Sequence, residues 1–258
     1  MSTYSAAWYA GQSGGSLTAA EAIVPQAIEL AAPTSVIDIG CGVGTWLSVF
    51  HRLGVGRIQG IDGPWVDRGQ LRIPAERFAT HDLAQPYAST QRFDLAMSVE
   101  VAEHLPESAA DDFIATLAGL ADAVLFSAAI PWQGGKGHVN ERWADWWCAR
   151  FRARGYLPLD AFRKEAWRDE RVAWWYAQNL IFYATPAWFE RHAARVTAYL
   201  DCHDTFVPRG PLLAAVAHDP LPLVHPAIFL SKATDLDRYK HPVSKALPRA
   251  LKRLVRKR

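Results

Sequence analysis

The chain has 258 residues, half of them hydrophobic and about a fifth charged, enough for one elaborated domain with a sizeable core. Its net charge of +2 hides an asymmetry: residues 244–258 hold seven Lys and Arg and no acid, leaving −5 on the rest. A basic tail on a mildly acidic body is not the footprint of a dedicated nucleic-acid binder. Cys41, Cys148 and Cys202 show no CxxC spacing, which argues against a disulfide framework or a zinc knuckle and suits a reducing cytoplasm. The first residues have neither a basic start nor an export-length apolar stretch, and no uncharged run approaches a membrane-spanning helix.

In chain order, residues 17–31 read as a helix with Pro25 as a kink or break. Five apolar strands follow at 35–39, 57–61, 77–80, 93–99 and 123–127, with helical patterns between several of them, at 45–53 and 111–121. Strands alternating with helices imply parallel βαβ units and an α/β doubly wound sheet. A later helix is expected over 141–155, ended by Gly155, and a last strand over 180–183. From Pro186 the pattern weakens, and Pro208, Pro211, Pro220, Pro222 and Pro226 suggest an irregular C-terminal extension. The expected division is therefore a domain over 1–185 and an extension over 186–258.

The most informative stretch is Ser35-Val-Ile-Asp-Ile-Gly-Cys-Gly-Val-Gly-Thr45. An apolar strand runs into three alternating glycines, Gly40, Gly42 and Gly44, as needed where backbone turns tightly and approaches a ligand closely. Eighteen residues past Gly44, Asp62 ends the next strand, placed to accept hydrogen bonds from both hydroxyls of a ribose. Asp82 follows the third strand, where an adenine amino group would lie. The spacing is GxGxG, not the GxGxxG of dinucleotide sites. Asp38, just before the glycines, suits a cationic amino-acid head and would repel a pyrophosphate.

These motifs, with Phe93-Asp-Leu-Ala-Met-Ser-Val-Glu-Val-Ala-Glu-His-Leu-Pro106, resemble the successive motifs of class I methyltransferases over roughly residues 35–183. The resemblance implies a Rossmann-like, mostly parallel seven-stranded sheet with one antiparallel strand. It also implies S-adenosyl-L-methionine over the carboxyl ends of the first two strands. More narrowly, Phe126-Ser-Ala-Ala-Ile-Pro131, Gly137-His-Val-Asn-Glu141 and Trp175-Tyr-Ala-Gln-Asn179 resemble methyltransferases associated with cell-surface polysaccharide synthesis.

Past the fourth strand lie Glu100, Glu103 and His104; a helix starting there would put all three on one face. His138 comes from the glycine-rich connection 131–140 after the fifth strand. Loops that follow adjacent parallel strands lie side by side, so the four residues are expected to converge. Glu-x-x-Glu-His with a later His is similar to the metal site of small-RNA terminal 2′-O-methyltransferases, where a divalent ion holds the two hydroxyls of a terminal ribose. The logic fits any diol, since a cation acidifies a bound hydroxyl and orients it for attack. Two imidazoles and two carboxylates suit Mn²⁺, Co²⁺ or Fe²⁺ at least as well as Mg²⁺. The alternative is a metal-free site with His104 or His138 as general base.

Eight of the eleven tryptophans fall between Trp132 and Trp188. Most read as core, Trp143, Trp146 and Trp147 as one apolar stripe. Trp132 and Trp175 lie where aromatic faces give sugars a platform, with Gln133, Gln178 and Asn179 as hydrogen-bonding partners. In the tail, Leu247, Leu251 and Leu254 recur at helical spacing among the basic residues, a short amphipathic helix suited to weak contact with an anionic membrane surface. The expectation is a cytoplasmic O-methyltransferase, peripheral at most to the inner face of the membrane, acting on a sugar hydroxyl of a glycan or glycan precursor. Rival readings are methylation of an RNA end, methylation of a phenol or quinone precursor, and a non-catalytic cofactor-binding protein.

Overall fold

Residues 35–39 are buried along their whole length, as a strand covered on both faces must be. Val36 packs into one apolar cluster and Ile37 and Ile39 into another on the opposite side, the period-two alternation of a strand between two layers. A computed structural model describes residues 6–208, 210–220, 223–226 and 228, with side chains from residue 15 on. The chain forms two compact units, Met1–Pro222 and Leu223–Arg258, and the basic segment 244–258 lies outside the described residues.

The first unit opens with α1 (Ala6–Ala31), β1 (Ser35–Ile39), α2 (Thr45–Arg52), β2 (Arg57–Asp62) and β3 (Phe78–Thr80). It continues through β4 (Leu95–Val99), α3 (Ala110–Leu120), β5 (Ala123–Ser127), α4 (Ala144–Arg152) and β6 (Leu157–Leu159). Then come α5 (Arg163–Ala166), α6 (Trp174–Asn179), β7 (Ile181–Ala184), α7 (Pro186–Arg191), α8 (Ala193–Cys202) and α9 (Leu212–Ala215). The strands form one seven-stranded sheet in the order β3-β2-β1-β4-β5-β7-β6. β7 runs antiparallel to both β5 and β6, and the other pairings are parallel. This is the Rossmann-like doubly wound arrangement expected from the sequence. The apolar faces of α1, α2, α7 and α8 cover one side of the sheet, and those of α3 and α4 the other.

Asp94 fastens the amino ends of the two central strands. One of its oxygens accepts hydrogen bonds from the backbone and hydroxyl of both Thr34 and Ser35, at 2.7–3.0 Å. Burial alone would raise its pKa, but these four donors outweigh it and hold the carboxyl below its usual range.

Several elements differ from the sequence pattern for physical reasons. α1 begins at Ala6 rather than 17 and passes through Pro25 without a break. Pro25 lies on the solvent face, where its missing N–H leaves no buried carbonyl stranded. The helix expected over 141–155 is only Ala144–Arg152. Its expected first turn is pinned as extended chain, because Asn140 N donates to Glu103 O (3.0 Å) and Arg142 N to Ala129 O (3.1 Å). β6 carries no strand pattern in the sequence, because it is three residues long with Pro158 at its centre, a residue that edge strands tolerate. Past residue 185 the chain is first helical: Thr185 caps α7 by accepting from Trp188 N (3.2 Å), with Pro186 in its first turn. Among the described residues no helix is long and apolar enough to cross a membrane.

At the end of α8, His203 faces Glu165 of α5 through Nδ1 and Glu29 of α1 through Nε2, both at 3.0 Å. Burial would lower its pKa, but the two carboxylates outweigh it and hold the imidazolium above its ordinary value. The stabilisation is therefore complete below the unfolded pKa, near ~6.5, and lost as pH rises through the folded pKa. His203→Gln should lower the melting temperature by about 1–3 °C at pH 6 and by nothing measurable near pH 9. Thermal melts of the two proteins across that range check this. A constant difference would assign the effect to the ring's stacking on Tyr199 (4.1 Å) instead.

Candidate active site

Parallel strands deliver the loops that follow them to one edge of the sheet, and the functional side chains collect there. After β1 the backbone is left-handed at Gly40 (φ +90°), Gly42 (+54°) and Gly44 (+80°). A Cβ on Gly40 would lie 2.4 Å from Val101 Cγ2, so nothing larger than glycine fits. Gly40 N and Cys41 N both donate to Ile61 O, which ties the turn to β2. Asp62 completes the tie: its Oδ2 accepts from Gly42 N and its Oδ1 from Gly63 N, each at 2.6 Å. Asp62 was expected to receive ribose hydroxyls. It braces the glycine turn, and the Trp65 side chain is a further donor to it.

Asp38 and Asp62 are both almost fully buried and line a cavity of about 560 Å³, within the usual range for small-molecule sites. Burial, and secondarily the charge of Asp62, pushes the pKa of Asp38 well up. Burial likewise raises that of Asp62, against the hydrogen bonds from Gly63 and Gly42. Two carboxylates that strain to stay ionised favour a cationic occupant. Asp82 is exposed at the rim of the same cavity, its Oδ1 accepting from Ala84 N (3.1 Å). These residues fit a ligand with a ribose, a purine and a positively charged end.

The second half of the cavity is built from the loops after β4 and β5. Glu100, Glu103 and His104 do not share a helix face: only a short 3-10 turn, Ala102–His104, forms here, and Glu100 has a left-handed backbone (φ +56°). The structure brings Glu103, His104 and His138 together, with one ligand atom from each lying within 4.8 Å of the others. Glu100 stands outside this group. Its carboxylate accepts from Gln133 Nε2 (2.7 Å) and Asn179 Nδ2 (3.1 Å) instead.

Glu103 is completely buried, and neither carboxylate oxygen has a hydrogen-bond partner among the described residues. Burial, then the nearby charge of Glu100, drives its pKa well up, against the pull of the Glu103 and Ala129 backbone N–H groups close to it. The imidazoles beside it are oriented by their other nitrogens. His104 Nδ1 faces Gly137 O at 3.3 Å, and His138 Nδ1 faces Glu141 Oε1 at 3.0 Å. Both contacts place an N–H on Nδ1 and leave Nε2 for another partner. His138 Nε2 sits 4.0 Å from Glu103 Oε1. Burial, and then His138, lowers the pKa of His104 to about 4, so its ring is neutral at physiological pH. A buried carboxylate with neither oxygen hydrogen-bonded, beside two imidazoles whose Nδ1 atoms are already engaged, is a set that a divalent cation would satisfy.

Glu141 is the residue that sequence reasoning missed. Besides orienting His138, its carboxylate accepts from Trp132 N (2.8 Å) and Gly134 N (2.7 Å), gathering the 132–138 loop around one anion. His138 also packs so closely on Gly135 that a Cβ there would fall 2.2 Å from its Nε2. The Gly-His-x-x-Glu spacing was the available signal, obscured by assigning Glu141 to a helix.

The expected sugar platform is only partly present. Trp174 and Trp175 line the cavity, whereas Trp132 is 60% exposed and packs edge-on against Trp143. Gln178 and Asn179 are buried and bond to one another and to Gln133. They support Glu100 from behind and do not themselves line the cavity. Arg163, fully buried and paired with Asp160, holds this network by donating to Gln178 O (2.9 Å).

Similar folds occur among solved structures. Streptomyces venezuelae DesVI matches with a TM-score of 0.50 and 15% identity, over 69% of this chain and 95% of that one. Magnesium protoporphyrin IX methyltransferase from Synechocystis PCC 6803, with bound SAH, gives 0.49 and 19%, over 68% and 84%. An O-methyltransferase family protein from Burkholderia thailandensis gives 0.45 and 16% over 64% of this chain, which spans only 56% of that protein. No curated protein shows significant sequence similarity to the chain. The sequence pattern that defines the methyltransferase domain matches residues 17–169, more than half of the chain, and the chain belongs to that family.

Proposed function

We propose that the chain transfers a methyl group from S-adenosylmethionine to a sugar hydroxyl of a glycan or glycan precursor, with a divalent cation held by Glu103, His104 and His138. The carrying observation is the buried Glu103 carboxylate without a donor, set between two imidazoles whose Nδ1 atoms are already engaged. Bound S-adenosylmethionine supplies an electrophilic methyl on a sulfonium. Asp62 would accept its ribose hydroxyls, Asp82 its adenine amino group, and Asp38 would face its charged amino-acid end across the Gly40–Gly44 turn.

Transfer joins an acceptor oxygen to the methyl carbon while the carbon–sulfur bond breaks and its electron pair stays on sulfur. The hydroxyl proton must leave as this happens. A cation in the Glu103–His104–His138 group would acidify and orient a sugar diol. Glu100 lines the same cavity outside that group, held by Gln133 and Asn179, and is the carboxylate left to take the proton. Trp174 and Trp175 offer an apolar wall to the sugar ring.

The direct test is methyl transfer from labelled S-adenosylmethionine to a panel of oligosaccharides, with and without chelator. Activity should vanish in EDTA and return with Mn²⁺; full activity after exhaustive chelation would leave His104 or His138 as a general base. Glu103→Gln, His104→Ala and His138→Ala should each abolish Mn²⁺ binding measured by calorimetry. Glu100→Gln should retain the metal and lose turnover.

Two further outcomes separate the halves of the site. Asp62→Ala removes a ligand acceptor and the brace of the glycine turn together. S-adenosylhomocysteine affinity should fall by about 1.5–3 kcal/mol, roughly tenfold to a hundredfold. Glu141→Gln keeps one acceptor oxygen but cannot serve all three donors. Mn²⁺ affinity should drop about 10–100-fold with S-adenosylhomocysteine binding unchanged.

A further inference from the structure

The tip of the loop that Glu141 gathers, Gly135-Lys136-Gly137, has no assigned role. Its base is anchored on both sides: Gln133 N donates to Ile130 O, and Val139 N and Asn140 N both donate to Glu103 O. At the tip, the N–H groups of Gly135, Lys136 and Gly137 meet no acceptor among the described residues, and the Lys136 ammonium meets no carboxylate. All three residues line the cavity.

The charge balance of the cavity gives this tip its meaning. Asp38, Asp62, Asp82, Glu100 and Glu103 contribute carboxylates to the lining, while Lys136 is the one lysine or arginine among the described lining residues. A sulfonium ligand and a divalent cation would each be matched by the carboxylates nearest to them. The cation has no use for a lysine, and the cofactor offers one only its own carboxylate, a pairing that unchanged S-adenosylhomocysteine affinity in the Lys136 variants below would exclude. An ammonium flanked by backbone N–H groups that meet no protein acceptor is instead a recognition element for an oxyanion.

Taking the acceptor to be a sugar, we propose that the 135–137 tip binds an oxyanion on that sugar, phosphoryl or carboxylate, so that the substrate is an anionic glycan precursor and Lys136 selects it. The glycines matter because side chains there would screen the N–H groups. Firm anchoring at Glu141 and Glu103 O keeps the donors in place before the substrate arrives, which lowers the ordering cost of binding.

The test uses the whole protein saturated with S-adenosylhomocysteine and Mn²⁺, titrated calorimetrically with glucose 1-phosphate, glucuronate and glucose. Wild type should bind one of the anionic sugars at least tenfold more tightly than glucose, with an affinity that falls as salt rises. Lys136→Ala should lose that advantage by about tenfold or more, and Lys136→Arg should largely keep it. S-adenosylhomocysteine and Mn²⁺ affinities should be unchanged in both variants, which excludes misfolding as the cause. Whichever anion shows the advantage identifies phosphoryl or carboxylate as the recognised group. Equal binding of charged and neutral sugars by wild type, or equal binding of the anion by wild type and Lys136→Ala, would overturn the proposal. Lys136-dependent anion binding in a protein that methylates no sugar would uphold the anion site and remove the sugar reading on its own.

Discussion

The site depends first on one buried carboxylate shared between two backbone donors. Asp62 reaches from the end of β2 to Gly42 N on the turn after β1 and to Gly63 N on its own loop, at 2.6 Å each. Three of the five residues of the Gly40–Gly44 turn have no side chain with which to hold its shape, and glycine loses the most conformational entropy on ordering. A charge-assisted bond from a neighbouring strand supplies the missing rigidity. The parallel pairing of β1 with β2 makes this possible, since it brings the two loops out side by side. The proposed cofactor contact and the stiffness of the loop would therefore reside in the same two oxygens.

A similar economy governs the other half of the cavity. Glu141 holds two backbone N–H groups and an imidazole, so the position of the loop and the tautomer of His138 are set by one residue. The ring is thereby committed to offer Nε2 toward Glu103. Both halves use a carboxylate as the hub of a flexible glycine-rich segment. In each, the hub is fixed by backbone donors.

The strands were legible in the sequence because buried parallel strands are continuous apolar runs. β1 and β5 have the bounds read from the pattern, and β2, β4 and β7 differ only at their ends. The glycine turn was legible because alternating glycines between a strand and a helix mark a left-handed turn, and Asp62 because it ends the strand that pairs with β1. β6 was not, since three residues around a proline carry no periodicity. The grouping of Glu103, His104 and His138 followed from loop adjacency, but the separation of Glu100 did not. That separation rests on a left-handed residue at Glu100 and on amides from Gln133 and Asn179, which come from distant parts of the chain. The reach of Glu141 was hidden for a different reason: a helical pattern ran through it, and only the tertiary bonds of Asn140 and Arg142 show why the helix starts later.

The reversed strand β7 has a consequence for how such a molecule diversifies. β6 runs with the parallel strands and ends at the active edge, while β7, running the other way, begins there. The intervening residues 160–180 thus leave and rejoin the sheet on the same side, with Asp160 and Gln178 clipped together by Arg163 at the neck. Residues can be inserted, deleted or exchanged between these points without altering the register of any strand. Natural variation in this one excursion would change which acceptor is admitted while leaving the chemistry beneath it undisturbed.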